Sequence, residues 1–148
     1  SIITPNLTEL CLLAGIDYAA LTKHAFDTDY LSYVEDTARK LLPRAQTNQT
    51  IVITGIVRKQ AKCAFVGNLA VTAEHHYYLE TPYHGESFSG TGDLFASVII
   101  GSLVNGHTIE NAMEKAVHFL APAIEEASQD NIPKNHGICF EKYLHLLL

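Results

Sequence analysis

Hydrophobic positions change period several times along the chain, and each change predicts an element. Ile2-Ile3 reads as the end of a strand, and Thr4-Pro5 turns the chain into a helix. Leu7, Leu10, Cys11 and Ala14 share one face of that helix, and Gly15 ends it. A second helix is predicted from roughly Asp29 to Leu42, with Leu31, Val34, Ala38, Leu41 and Leu42 inward and Pro43 as its stop. Ile51-Val-Ile-Thr-Gly55 is a short β-branched run closed by glycine, the pattern of a buried strand in a parallel sheet. Three shorter strand-like pieces follow, Ala61 to Val66, Leu69 to Thr72 and His76 to Leu79. Gly67-Asn68 reads as a turn between the first two, and all three suit antiparallel strands at a sheet edge. A loop from Thr81 to Ser87 leads to an apolar helix, Leu94 to Leu103. Ile109 to Ala127 is a longer helix with Ala112, Ala116, Phe119, Leu120 and Ala123 at helical spacing, and a short amphipathic helix starts at Phe140. This alternation predicts an α/β fold on a mainly parallel sheet.

Composition narrows the classes. A chain of 148 residues with 47% hydrophobic content suits one globular domain with a real core. Its net charge of −6 disfavours nucleic acid and anionic membrane as partners, so any bound phosphate must be held locally. Cys11, Cys63 and Cys139 are odd in number and far apart, which fits a reducing cytoplasm rather than a disulfide framework. No apolar run approaches a membrane span, and no basic region precedes an apolar one at the start. The N-x-T matches at Asn6 and Asn48 therefore carry little weight. The chain begins Ser-Ile-Ile-Thr-Pro, without Met and inside an apparent strand end, which is expected of a piece of something longer.

In α/β sheets, ligands sit where strand ends lead into helix starts. Two loops qualify, Thr4 to Glu9 and Gly90 to Asp93. Gly90-Thr91-Gly92-Asp93 has two glycines that let backbone approach a ligand, before a helix whose free amides and dipole favour an anion. A first-turn carboxylate there can accept a proton from an attacking hydroxyl, a combination that suits phosphoryl transfer. The motif has an equally local explanation, with Ser89 or Thr91 as N-cap and Asp93 as a dipole-favoured acid. It is neither a Walker loop, lacking GK[ST], nor a dinucleotide fingerprint, because Phe95 stands where a third glycine is needed. Asn6-Leu-Thr-Glu9 is likewise a capping-box pattern, and a Glu facing a strand-end crevice could also hold hydrated Mg²⁺. His75 and His76 are adjacent on a predicted strand and point to opposite faces, a poor chelating pair. Cys63 reads as a small hydrophobe, and Tyr77-Tyr78 as one ring inward and one outward.

ITPNLTE, IVITG and SGTGDLFAS, in this order, resemble the C-terminal half of the ribokinase superfamily, and within it the pyridoxal (pyridoxine, pyridoxamine) kinases. The resemblance covers nearly the whole chain and includes the later GICFEKYL. It implies a three-layer α/β/α sheet, mainly parallel with antiparallel edge strands. Residues 1–148 would then be the nucleotide-binding half of one domain, the N-terminal half being absent. It further implies Asp93 as the base that deprotonates the substrate hydroxymethyl group, with Gly90, Thr91 and Gly92 as the anion hole. Thr4, Glu9, Thr54, Thr81, Pro82, Tyr83, His84 and Thr91 take the ATP-binding positions, Glu9 also serving Mg²⁺. Val117 and Leu120 are weaker candidates for an adenine wall. Related hydroxymethylpyrimidine kinases often carry Cys where Asp93 stands, which favours the pyridoxal branch, while sugar kinases more often read GAGD. Gly55 replaces a hydroxyl residue of the family's VTS-like turn. A homodimer is implied and a monovalent cation left open. The alternatives are a hydroxymethylpyrimidine or sugar kinase, or a non-catalytic nucleotide-binding fragment.

Overall fold

A computed structural model describes residues 1–42, 49–83, 85 and 87–148. The chain divides into two compact units, Ser1–His84 and Gly85–Leu148.

The first unit runs β1 (Ile2–Ile3), α1 (Leu7–Ala14), α2 (Tyr18–Thr22), α3 (Tyr30–Arg39), β2 (Thr50–Gln60), β3 (Cys63–Val71) and β4 (His76–Pro82). Its sheet has the order β1-β2-β3-β4. β1 and β2 are parallel, which requires a crossover, and the helices between them supply it. Ile51, Val52 and Ile53 are fully buried, so this part of β2 is apolar on both faces, as the sequence predicts. Leu10 and Cys11 of α1, Val34 and Ala38 of α3, Ile51, Ile53 and Ile56 of β2, and Leu69 and Val71 of β3 form one core.

At Gly55 the backbone takes φ +69°, and the β2–β3 register shifts between Ile53 and Ile56. Glycine adopts this left-handed bulge without Cβ strain, and β2 continues beyond it into a hairpin with β3. The hairpin turns at Ala61-Lys62, between the paired Gln60 and Cys63.

The fold is α/β as expected, but its described sheet is mixed: one parallel pair and two antiparallel pairs. The antiparallel strands β3 and β4 lie together at one side of the described sheet, as expected. The predicted turn at Gly67-Asn68 does not form, because β3 runs unbroken through both residues. A Cβ on Gly67 would overlap the Tyr78 hydroxyl and ring, so this glycine marks a crowded strand position rather than a turn. Thr81 and Pro82 belong to β4 and not to a loop. The helix predicted to Leu42 ends at Arg39, and Pro43 lies outside the described residues. α2 was not foreseen; its five residues are too few for a periodic signal, although Asp17 caps it.

The second unit holds α4 (Thr91–Val104), α5 (Ile109–Gln129) and two 3₁₀ segments, Lys134–His136 and Phe140–Leu147. The last segment is 3₁₀ rather than α-helical. Ala112, Met113, Ala116, Phe119, Leu120, Ala123 and Ala127 form the buried stripe of α5. Phe140 meets Phe119 edge-on at 6.4 Å between ring centroids. The three cysteines are free thiols, and among the described residues no helix is long and apolar enough to cross a membrane.

Valine is ordinarily favoured in a strand, yet Gly67→Val should destabilise the protein by ~1–3 kcal/mol, because its side chain must displace the Tyr78 ring. Urea unfolding measures this, and an unchanged or raised midpoint would contradict the crowding at Gly67.

Candidate functional site

The parallel pairing sets the first candidate loop. Ile2 pairs with Thr50 and Ile3 with Ile51, and an isolated bridge continues the same register to Asn6 and Thr54. The Thr54 N–H donates to the Pro5 carbonyl at 2.9 Å. Thr4, Asn6 and Thr54 thus gather where the parallel strands end and α1 begins. There the capping box forms in full: the Glu9 N–H donates to Asn6 Oδ1 at 2.9 Å, and the Asn6 N–H donates to Glu9 Oε2 at 2.9 Å. The local explanation of Asn6 and Glu9 is therefore realised. Glu9 is nonetheless exposed, and a carboxylate that accepts one amide through Oε2 keeps acceptor capacity on Oε1.

The start of α4 is different. Gly90 is the N-cap residue, in the left-handed region at φ +84°, and no side chain caps the helix. The Thr91 hydroxyl donates backwards to the Phe88 carbonyl at 2.9 Å, and the Ser89 N–H donates to the Lys134 carbonyl at 2.9 Å. Neither Ser89 nor Thr91 acts as the cap that their positions suggest. By contrast, Asn6, Asp17 and Thr108 cap α1, α2 and α5 with their side chains. Among the described residues no side chain takes the first-turn amides of α4, an arrangement suited to an outside acceptor. Among the described residues a Cβ at Gly90 or Gly92 would meet nothing within 4 Å, so the missing side chains leave open room beside this turn. Asp93 lies exposed in that first turn, at the positive end of the helix dipole. Chemically the turn offers amide donors for an anion with a carboxylate at its rim.

Of the remaining expected positions, Thr81 and Tyr83 are half-buried at the end of β4, where the Tyr83 N–H donates to the Ala64 carbonyl at 2.9 Å. His84 lies outside the described residues. A cavity of about 600 Å³ in the second unit is lined by Leu94, Val98, Lys115, Phe119 and Phe140 among others; Val117 and Leu120, the adenine-wall candidates, are not in its lining. Among the described residues no three His, Cys, Asp or Glu side chains converge on a metal site. His76 Nδ1 lies 3.2 Å from Glu35 Oε1 and His75 Nε2 lies 3.8 Å from Glu74 Oε2, so the two imidazoles have different carboxylate neighbours.

Sequence reasoning missed a cluster on the antiparallel strands. Arg58 grips Glu80 through Nε at 3.0 Å and Nη2 at 2.9 Å, and the Tyr78 hydroxyl donates to Glu80 Oε2 at 2.7 Å. The bound guanidinium holds the Glu80 carboxyl below its ordinary range, while burial first and the Glu80 hydrogen bond second push the Tyr78 phenol up. The one available signal was Gly67, and reading it as a turn hid the register that joins these residues.

Fold and helix start together define an α/β protein with an open, amide-lined turn beside a carboxylate. The phosphomethylpyrimidine kinase family profile matches residues 1–139, and the chain belongs to that family. It is 30% identical over 122 residues to a pyridoxine/pyridoxal/pyridoxamine kinase of Bordetella avium, covering 82% of this chain and 37% of the relative. A Bacteroides thetaiotaomicron crystal structure with pyridoxal, provisionally named a phosphomethylpyrimidine kinase, is 29% identical with a TM-score of 0.69. That match covers 99% of this chain and 48% of the other. The pyridoxal kinase of Lactobacillus plantarum is 25% identical with a TM-score of 0.69, over 99% of this chain and 49% of the other. The chain thus spans about half the length of these structures and less of the Bordetella relative.

Asn6→Ala should cost ~1 kcal/mol through loss of the α1 cap, whereas Ser89→Ala should change stability by less than ~0.5 kcal/mol, since Ser89 caps nothing. Thermal melts of the pair check the assignment; equal losses would contradict it.

Proposed function

We propose that the protein is an ATP-dependent kinase that phosphorylates the 5′-hydroxymethyl group of pyridoxal, pyridoxine and pyridoxamine, and that this chain is its C-terminal, nucleotide-binding half. The observation that carries the proposal is the α4 start: Gly90 in the left-handed region, no side-chain cap, and Asp93 exposed in the first turn. Family membership, the name of the Bordetella relative and the pyridoxal in the Bacteroides structure support it.

In this reading the Asp93 carboxylate accepts the proton of the attacking hydroxyl. The Gly90-Thr91-Gly92 turn receives the oxygens of the transferring phosphoryl group, whose charge the amides and helix dipole stabilise. Little covalent chemistry is asked of the protein, because phosphoryl transfer rests on positioning and charge stabilisation. Thr4, Thr54, Thr81, Pro82, Tyr83 and His84 bind the nucleotide. Glu9, an exposed carboxylate with one oxygen engaged in the α1 cap, fits a hydrated Mg²⁺ that arrives with the phosphates. The ion supplies charge neutralisation and alignment of those phosphates. The family resemblance extends the proposal to a cytoplasmic homodimer.

A second reading follows from the family description, a hydroxymethylpyrimidine as acceptor. Both acceptors present a hydroxymethyl group on a nitrogen heterocycle, so the same base would serve.

Two variants of the complete protein, of which this chain is proposed to be the C-terminal half, test the roles. Asp93→Asn should lower kcat by ~10²–10⁴ with KM for ATP changed less than ~threefold, since a general base acts on the transition state. Unchanged kcat would remove Asp93 from the mechanism. Glu9→Gln keeps an acceptor for the Asn6 N–H, so it should raise the Mg²⁺ concentration for half-maximal rate at least ~fivefold while Tm stays put. A fall in Tm with no change in Mg²⁺ dependence would return Glu9 to the cap alone. Assay of the vitamers against hydroxymethylpyrimidine decides the acceptor, the higher kcat/KM naming it.

A further inference from the structure

Strand alternation puts Ile56 and Arg58 of β2, Phe65, Gly67 and Leu69 of β3, and Tyr78, Glu80 and Pro82 of β4 on one face of the sheet. Arg58 and Glu80 are separated by a whole strand, roughly 9–10 Å in the hydrogen-bonding direction. A side chain at the β3 position opposite Glu80 would collide with the Tyr78 ring that lies beneath the pair. Glu80 pairs with Gly67, the residue of β3 that has none. The Tyr78 ring fills the gap over Gly67, the guanidinium carbon of Arg58 lies 5.9 Å from that ring's centroid, and both charged side chains converge on it. Arg58 and Glu80 are only 19% and 26% exposed, so their bidentate pair is better shielded from solvent than an ordinary surface pair.

The cluster sits at a place where register matters. Among the described residues β4 pairs with β3 alone, and Glu80 is followed at once by Thr81, Pro82 and Tyr83. Thr81 and Tyr83 alternate to the face opposite Glu80. A slip of one residue would exchange the two faces.

We propose that Arg58, Glu80 and Tyr78 form a positioning clamp that locks the register of β4 and thereby presents Thr81 and Tyr83 to the nucleotide. The proposal rests on the nucleotide-binding reading of residues 81–84 given above. The clamp touches neither reacting atoms nor ligand. It acts by ordering the edge strand before ATP arrives, so that binding does not bear that cost. Gly67 is part of the device, since it is the gap through which the clamp closes.

The test uses the complete protein, with steady-state kinetics, calorimetric titration of ATP and thermal melts on Arg58→Met, Arg58→Lys and Tyr78→Phe. Arg58→Met should raise KM and Kd for ATP ~five- to tenfold while kcat and the KM for the vitamer stay within ~twofold. Arg58→Lys keeps the charge but not the fork and should recover only part of the affinity. If Arg58→Met does not fold, Arg58→Lys and Tyr78→Phe carry the same comparison. ATP parameters equal to wild type, with only Tm lowered, would reduce the cluster to a structural ion pair and overturn the proposal. Wild-type protein that fails to bind ATP would overturn the nucleotide reading and the clamp together, whereas tight wild-type binding with no loss in the variants removes the clamp alone.

Discussion

The parallel pairing of β1 with β2 is the constraint from which the rest of the first unit follows. Two strands that run the same way cannot be joined by a tight turn, so the chain must climb over the sheet through α1, α2 and α3 before β2 begins. The pairing holds one offset from Ile2 and Thr50 to Asn6 and Thr54, and the Thr54 amide closes it on the Pro5 carbonyl. It therefore brings the start of α1 and the bend at Gly55 to the same end of the sheet. Without that register, Thr4, Glu9 and Thr54 would be three unrelated polar residues.

Beyond Gly55 the same strand serves a second purpose. β2 pairs with β3 on both sides of Gly55, and the left-handed glycine takes up the register shift where its parallel neighbour β1 has already ended. One strand thus carries two kinds of neighbour: a buried apolar segment beside β1, and a half-buried segment whose alternate residues include Arg58. The charged cluster on the second segment exists because a glycine in β3 leaves room for it. Two glycines of opposite character, one chosen for its dihedral angle and one for its missing side chain, shape this sheet.

The two candidate loops show how one helix-start pattern can be used in different ways. At α1 the cap is complete, with Asn6 and Glu9 each satisfying the other's backbone amide. At α4 the equivalent hydroxyls turn away, Thr91 toward Phe88 and Ser89 outside the capping geometry, and among the described residues the turn has open room beside it. Backbone donors are rarely left without a partner, and an uncapped turn with room beside it is suited to an incoming anion. The proposed kinase chemistry draws on this contrast.

Much of this was legible in the residues. The helical faces of α1, α3 and α5, the apolar run of α4, the buried run of β2, the glycine stop after α1 and the glycine turn before α4 all follow from local rules of period and conformational preference. Those rules act over a few residues, which is why they survive translation from sequence to structure. Where two local explanations competed, as at Asn6 and Glu9 or at Ser89 and Thr91, the residues left both open; the hydrogen bond to Asn6 Oδ1 completes the cap at α1, and the bond to Phe88 takes Thr91 away from capping α4. The mixed character of the sheet, the unbroken course of β3 through Gly67 and the Arg58–Glu80–Tyr78 cluster were not legible. Each depends on strand register, which joins residues 22 apart in the case of Arg58 and Glu80. Register is set by which faces find a core and by where turns close, so it becomes fixed when the strands pack together and not before.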